Sequence, residues 1–239
     1  TSKKMKLIIY IMSLIDKYNQ KKIVNFFKSE KIQVNTFFDV GAHKGETIKL
    51  FNDNFNIKEF YCFEPSPINF NYLKKKISKL NNNIKIFNFG FGENKSVLNF
   101  NQLEESSSST LVEINQDSNY YKKKKKIISI FNLKKNEDKI INVKISSLND
   151  FMEEQSINKI DILKIDTEGF EFKVIKGARE KIKNIKYIYF EHHYDDMLKK
   201  KYSFSDIHGY LIKNGFIKVF KLKMFFRKTF EYIYQNTKI

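Results

Sequence analysis

Two prolines, one cysteine and no tryptophan in 239 residues leave this chain few stiff or cross-linked positions. The lone cysteine, Cys62, excludes an internal disulfide and suits a reducing compartment, so a cytoplasmic location is expected. No apolar run approaches the roughly 20 residues that cross a bilayer. The early LIIYIM (7–12) is short, set between lysines and followed by no cleavage-site pattern. Neither a transmembrane segment nor a secretory leader is therefore expected, and peripheral membrane contact stays open. No Pro/Gly-rich linker divides the chain, and no repeat of about 20–50 residues is visible. The length fits a single domain, placed at 36–239 and preceded by a helical extension over 1–35.

Acidic residues are the scarcer charge: 27 Asp and Glu against 44 Lys and Arg, a formal net charge of +17. Such an excess attracts nucleic acid or an anionic membrane surface. It also follows from composition alone, because lysine, asparagine and isoleucine crowd every segment. The lysine block 122–126 reads as a solvated loop. Charge by itself does not favour nucleic acid as the partner.

What is present is an alternation of apolar runs with helical periodicity. That is the pattern of an α/β protein with a mostly parallel central sheet and helices on both faces. Residues 5–30 carry Leu7, Ile11, Leu14, Ile15 and Tyr18 at helical spacing. Strands are predicted at 36–41, 60–64, 84–89, 96–100, 141–146, 160–166 and 187–193. The segments 216–222 and 230–235 form a closing antiparallel hairpin. Helices follow at 44–51, 67–80, 147–154 and 168–178, with another capped by Ser205 and stopped at Asn214-Gly215. The stretch 104–126, with SSSST at 106–110, reads as the least ordered, a linker or an acceptor-contacting loop.

Both prolines fall in YCFEPSPINF (61–70). Pro65 cannot donate to a ladder and ends its strand at Glu64. Ser66 is a good N-cap, and Pro67 takes the first helical position, where its missing N–H is harmless. The two prolines thus fix a sharp corner with Glu64 at the strand's carboxyl end. In an open α/β sheet, ligands bind beyond the carboxyl ends of the strands. The polar residues there are Asp39, Glu64, Asn88, Asp166 and Glu191, followed by His192 and His193.

DVGAHKG (39–45) is a glycine-bearing strand-to-helix turn that matches neither a dinucleotide fingerprint nor a phosphate loop. Glu64, one strand later, can accept both hydroxyls of a ribose. Its bland alternative is a helix-dipole interaction. A nucleoside ligand with little phosphate follows, and S-adenosylmethionine fits. Asp39 and the turn near His43 would serve its aminoacyl end, with Phe89 and Gly90 walling the adenine.

FFDVGAHKGET (37–47), CFEPSPINFNYL (62–73), ISSLNDFM (145–152) and above all DILKIDTEGFEFKVIKGA (161–178) resemble successive motifs of the FkbM family of S-adenosylmethionine-dependent methyltransferases. The likeness runs from Thr36 to Ala178. It implies a Rossmann-like class I methyltransferase fold and O-methylation of a sugar or glycan hydroxyl. By position it implies cofactor contacts at Asp39, Gly41, Gly45, Glu64, Pro65 and Ser66, with the acceptor side near Asp166 and Glu168.

Methyl transfer is an in-line displacement that depends on positioning, and a hydroxyl needs a general base or a metal. Asp166, Glu168, Glu191, His192 and His193 are the candidates. His192 is favoured as base, with Asp166 orienting the acceptor; alternation weakens at a strand end, so either histidine could face it. Asp166, Glu191 and His192 could also hold a divalent cation. Lys164, inside an apolar run, needs a carboxylate such as Glu168 or Glu191. The rivals are an RNA ribose 2′-O-methyltransferase and a non-catalytic binding module.

Overall fold

The computed structural model describes residues 17–78, 83–103, 106–130, 138–225 and 227–239. The expected helical positions 5–16 and Leu80 lie outside these residues. In chain order the strands are β1 (Thr36–Val40), β2 (Glu59–Phe63), β3 (Ile84–Phe87), β4 (Gly90–Phe91), β5 (Ser96–Gln102), β6 (Lys139–Ser146), β7 (Ile160–Ile165), β8 (Ile185–His193), β9 (Phe216–Lys223) and β10 (Thr229–Asn236). The helices are α1 (17–29), α2 (Glu46–Asn52), α3 (Pro67–Ile77), α4 (Asn119–Ile130), α5 (Leu148–Glu154), α6 (Glu171–Lys176) and α7 (Phe204–Lys213).

Seven strands form the main sheet in the order β3-β2-β1-β7-β8-β10-β9. All pair in parallel except β10, which runs antiparallel to both β8 and β9. This is the mostly parallel sheet with a C-terminal hairpin that the sequence suggests. The chain leaves β1 toward β2 and β3, then returns to β7 on the other side. The switch point therefore lies between the carboxyl ends of β1 and β7.

Alternation along each strand builds a core on both faces. Phe38, Val40, Leu163, Ile165, Ile188 and Phe190 face one way, under residues of α5, α6 and α7. Phe37, Phe60, Ile162, Tyr187 and Tyr189 face the other. There they meet α1 through Ile23 and Phe27, with α2 and α3 beside it. Phe27 is fully buried against Phe51 and Tyr187, with ring centroids 5.8 and 5.6 Å away. The described part of the N-terminal segment thus covers the sheet.

The α3 corner forms as the two prolines require: Pro67 is in the first turn and Ser66 Oγ accepts the Asn69 N–H at 3.3 Å. Other expectations need correction. The third strand stops at Phe87, because the Asn88 side chain turns back to donate to the carbonyls of Glu64 and Pro65. The lysine block is helical, as lysine's good helix propensity allows, and Ser118 Oγ accepts the Tyr121 N–H near its start. The helix after β7 begins at Glu171 rather than 168, since Glu168 and Gly169 take positive φ of 51° and 95°. Ser203, not Ser205, caps α7 in a reciprocal capping box with Asp206. Strands β4, β6 and β5 form a separate three-stranded sheet.

Candidate active site

A cleft opens at the β1/β7 switch point. It encloses about 510 Å³, part of it open to solvent, and its walls come from five places in the chain. The turn after β1 gives Gly41 and His43; the β2 corner gives Glu64 and Pro65. The end of β7 gives Asp166, Thr167 and Glu168. The small sheet contributes Gly90, Phe91 and Phe100, and the segment after it Ser107, Ser109 and Leu111.

Gly41 has φ 86°, and a Cβ there would lie 1.9 Å from the Asp166 carbonyl oxygen. Only glycine lets the β1 turn pass so close to β7. Glu64, 4% exposed, joins the two loops of the cofactor side. One carboxylate oxygen accepts the His43 N–H at 2.8 Å and the other the Ser66 N–H at 2.9 Å. The Asn69 side chain also bonds this carboxylate, which keeps the rest of its lone-pair capacity for a ligand. Burial outweighs these bonds and raises the Glu64 carboxyl to about 7.

Asp39 lies one layer below, fully buried and without a hydrogen bond to either oxygen. Its partner is Lys164, the registered neighbour on β7, with Nζ 3.6 Å from Oδ1. Burial pushes the Asp39 carboxyl up to about 6 against the pull of that ammonium. Lys164 also donates to Asp166 Oδ2 at 3.0 Å. Its carboxylates are therefore Asp39 and Asp166, not the expected Glu168 or Glu191. Burial would depress the Lys164 amine, but those two charges outweigh it and hold it above its ordinary range.

The two histidines separate cleanly. β8 stays regular through His193, which pairs with Thr229 on β10, so alternation does not weaken at its end. His192 shares the parity of Phe190 and faces the opposite side, among Tyr194, Tyr202 and Phe204. Burial, helped by Lys200, drives its imidazole down to about 3. The favoured base is thus in an aromatic pocket, away from the cleft lining. His193 shares the parity of Glu191. Its Nε2 lies 3.3 Å from Glu168 Oε2 and 3.2 Å from Glu191 Oε1, and its Nδ1 3.3 Å from Asp195 Oδ2. Those carboxylates overcome burial and raise the His193 pKa well above its usual value.

Several other predicted residues sit behind the cleft. Gly45 starts α2 against Leu73, Ser66 is buried beneath the corner, and Phe89 packs among Phe63, Phe87 and Phe151. Phe91 takes the lining position expected of Phe89, because β4 begins at Gly90 and leaves the main sheet. Sequence reasoning missed Glu171. Fully buried, it accepts from the Gly169 N–H at 2.8 Å and from the Tyr202 hydroxyl at 2.6 Å, clamping the turn that carries Glu168. The Thr110 hydroxyl donates to the Glu168 carbonyl at 2.6 Å from the other side. An acidic residue three positions after Glu168 was the available signal.

Comparison with known proteins agrees with this architecture. The model of the methyltransferase FkbM domain matches residues 39–218. No curated protein matches the sequence. Among solved structures, methyltransferase FkbM from Methylobacillus flagellatus KT superposes with a TM-score of 0.53 at 15% identity, over 84% of this chain and 44% of that one. The chain thus spans less than half the length of that protein. Magnesium protoporphyrin IX methyltransferase from Synechocystis PCC 6803, solved with bound SAM, gives 0.53 at 8% identity, over 99% and 86%. M. capricolum TrmK, in complex with S-adenosyl-homocysteine, gives 0.51 at 10% identity, over 92% and 69%. With a class I methyltransferase sheet and a family match over most of its length, the chain belongs to the FkbM methyltransferase family.

Proposed function

We propose that the protein transfers a methyl group from S-adenosylmethionine to a hydroxyl of a sugar or glycan-type acceptor. The observation that carries this reading is Glu64, held rigidly in the cleft wall beside the Gly41 turn. A ribose hydroxyl would donate to its remaining lone-pair capacity, Phe91 and Gly90 would flank the adenine, and the His43 turn would meet the aminoacyl end. Asp39 pairs with Lys164 beneath that turn.

The charge of the cleft supports the donor. Asp39, Asp166 and Glu191 outnumber Lys164 and His193 around its floor, which suits a sulfonium cation, while burial raises the Glu168 carboxyl to about 8. In the reaction the acceptor oxygen attacks the methyl carbon in line. The carbon–sulfur bond breaks and its electron pair stays on sulfur, leaving S-adenosylhomocysteine. The hydroxyl proton passes to Asp166, the carboxylate at the acceptor end that, despite burial, Lys164 holds ionised.

The same charge argues for a neutral, hydroxyl-bearing acceptor. Among the described lining residues are Glu64, Asp166 and Glu168 but no lysine or arginine, despite a net charge of +17 on the whole chain. A phosphodiester would meet repulsion there. The basic surface, with Lys122 to Lys126 on α4, favours RNA as the second reading. A cytoplasmic site of action is consistent with the free, buried Cys62. Transfer of labelled methyl to free sugars, nucleotide sugars, glycans and RNA tests the assignment. Transfer to a neutral glycan is expected; transfer to RNA alone overturns it.

A further inference from the structure

Behind Glu168 the cleft floor ends in a cluster that methyl-donor binding does not use. Glu168, Glu191 and His193 each present one donor atom, all within 4.8 Å of one another. We infer that these three side chains bind a divalent cation of the Mn2+ or Mg2+ class, which holds and polarises the acceptor hydroxyl. The inference rests on the acceptor end lying at Asp166 and Glu168.

Geometry is the first argument. His193 Nε2 stands 3.3 and 3.2 Å from the nearest Glu168 and Glu191 oxygens. Neighbouring ligands around an octahedral ion with bonds of about 2.1 Å are about 3 Å apart. The second argument is an orphaned atom. His193 is 7% exposed, and its Nε2 has no well-formed hydrogen bond although it points between two carboxylates.

The third is the shell behind the ligands. Asp195 lies 3.3 Å from His193 Nδ1 and is itself fixed by the Met197 N–H at 3.0 Å. With Nδ1–H donating to Asp195, Nε2 faces two carboxylates, an arrangement that a bound cation relieves in place of a ring proton. Carboxylate–histidine pairs of this kind orient metal-binding imidazoles. Glu168 is presented by a backbone at φ 51°, and Thr110 and Glu171 hold the turn. One imidazole with two carboxylates suits Mn2+ and admits Mg2+. Asp166 remains outside the ligand set to take the proton.

The test is direct binding of Mn2+ to chelator-treated protein, read by electron paramagnetic resonance and calorimetry with Mg2+ as competitor. One saturable site is expected, weakened more than about tenfold by Glu191→Gln and by His193→Gln, and about tenfold by Asp195→Asn. Glu64→Gln should keep that site while weakening S-adenosylhomocysteine. Mn2+ binding without homocysteine-nucleoside binding supports the metal site and sinks the donor reading alone. Absence of a saturable site, or equal affinity in folded Glu191→Gln and His193→Gln, overturns the inference.

Discussion

Glu64 accepts the backbone N–H of His43 at 2.8 Å, so the acidic end of β2 holds the turn that follows β1. Its second oxygen does the same for Ser66. One buried carboxylate therefore sets the distance between the two loops that a nucleoside would bridge. It shapes the cleft and lines it.

The raised Glu64 carboxyl has a consequence for stability. Between its ordinary value near 4.5 and about 7, the folded protein holds a proton that the unfolded chain has released. The contribution of this group to stability is fully present below about pH 4.5 and falls as pH rises toward 7. In denaturation from pH 4.5 to 8, the ligand-free protein should lose stability relative to Glu64→Gln up to about pH 7, and the difference should level off above it. A pH-independent difference would contradict this.

Lys164 stands between Asp39 and Asp166, 8% exposed. Removing one partner of a buried ion pair costs about 3–5 kcal/mol. Lys164→Met should lose stability of that order in urea titration and disturb the β1 turn. A loss under about 1 kcal/mol would show that the charges are solvated.

Gly41→Ala should be among the most damaging small changes in the chain. Its Cβ meets backbone, the Asp166 carbonyl, and the φ is positive. β1 and β7 must move apart at the switch point. The expected readout is loss of cofactor binding with a lowered Tm; retention of both contradicts the close approach.

The two strand-end acids and histidines predict different kinetics. Glu168→Gln should lower kcat by about 10²-fold or more with donor affinity little changed. His192→Phe should leave turnover within a few-fold, because the ring lies among Tyr194, Tyr202 and Phe204. A His192 variant that folds but loses turnover as Glu168→Gln does would restore His192 as the base.

Much of this was legible in the sequence for local reasons. Asp39, Glu64 and Asp166 could be placed near strand ends because Gly41, Pro65 and Gly169 interrupt their apolar runs within a few residues. Ser66 and Pro67 announce α3 by side-chain chemistry alone. The failures are non-local. Which histidine faces the site depends on β10 holding β8 regular through His193, a pairing across 36 residues to Thr229. Phe91 replaces Phe89 in the cleft because β4 finds its partner in β6, more than fifty residues on. Lys164 chose Asp39 because strand register, not sequence distance, sets its neighbours.

The central claim is met most directly by calorimetric titration of S-adenosylhomocysteine into the folded protein and into Glu64→Gln of matched Tm. A single site whose affinity falls at least about tenfold in the variant is the predicted result. Undiminished affinity in a properly folded variant would contradict it.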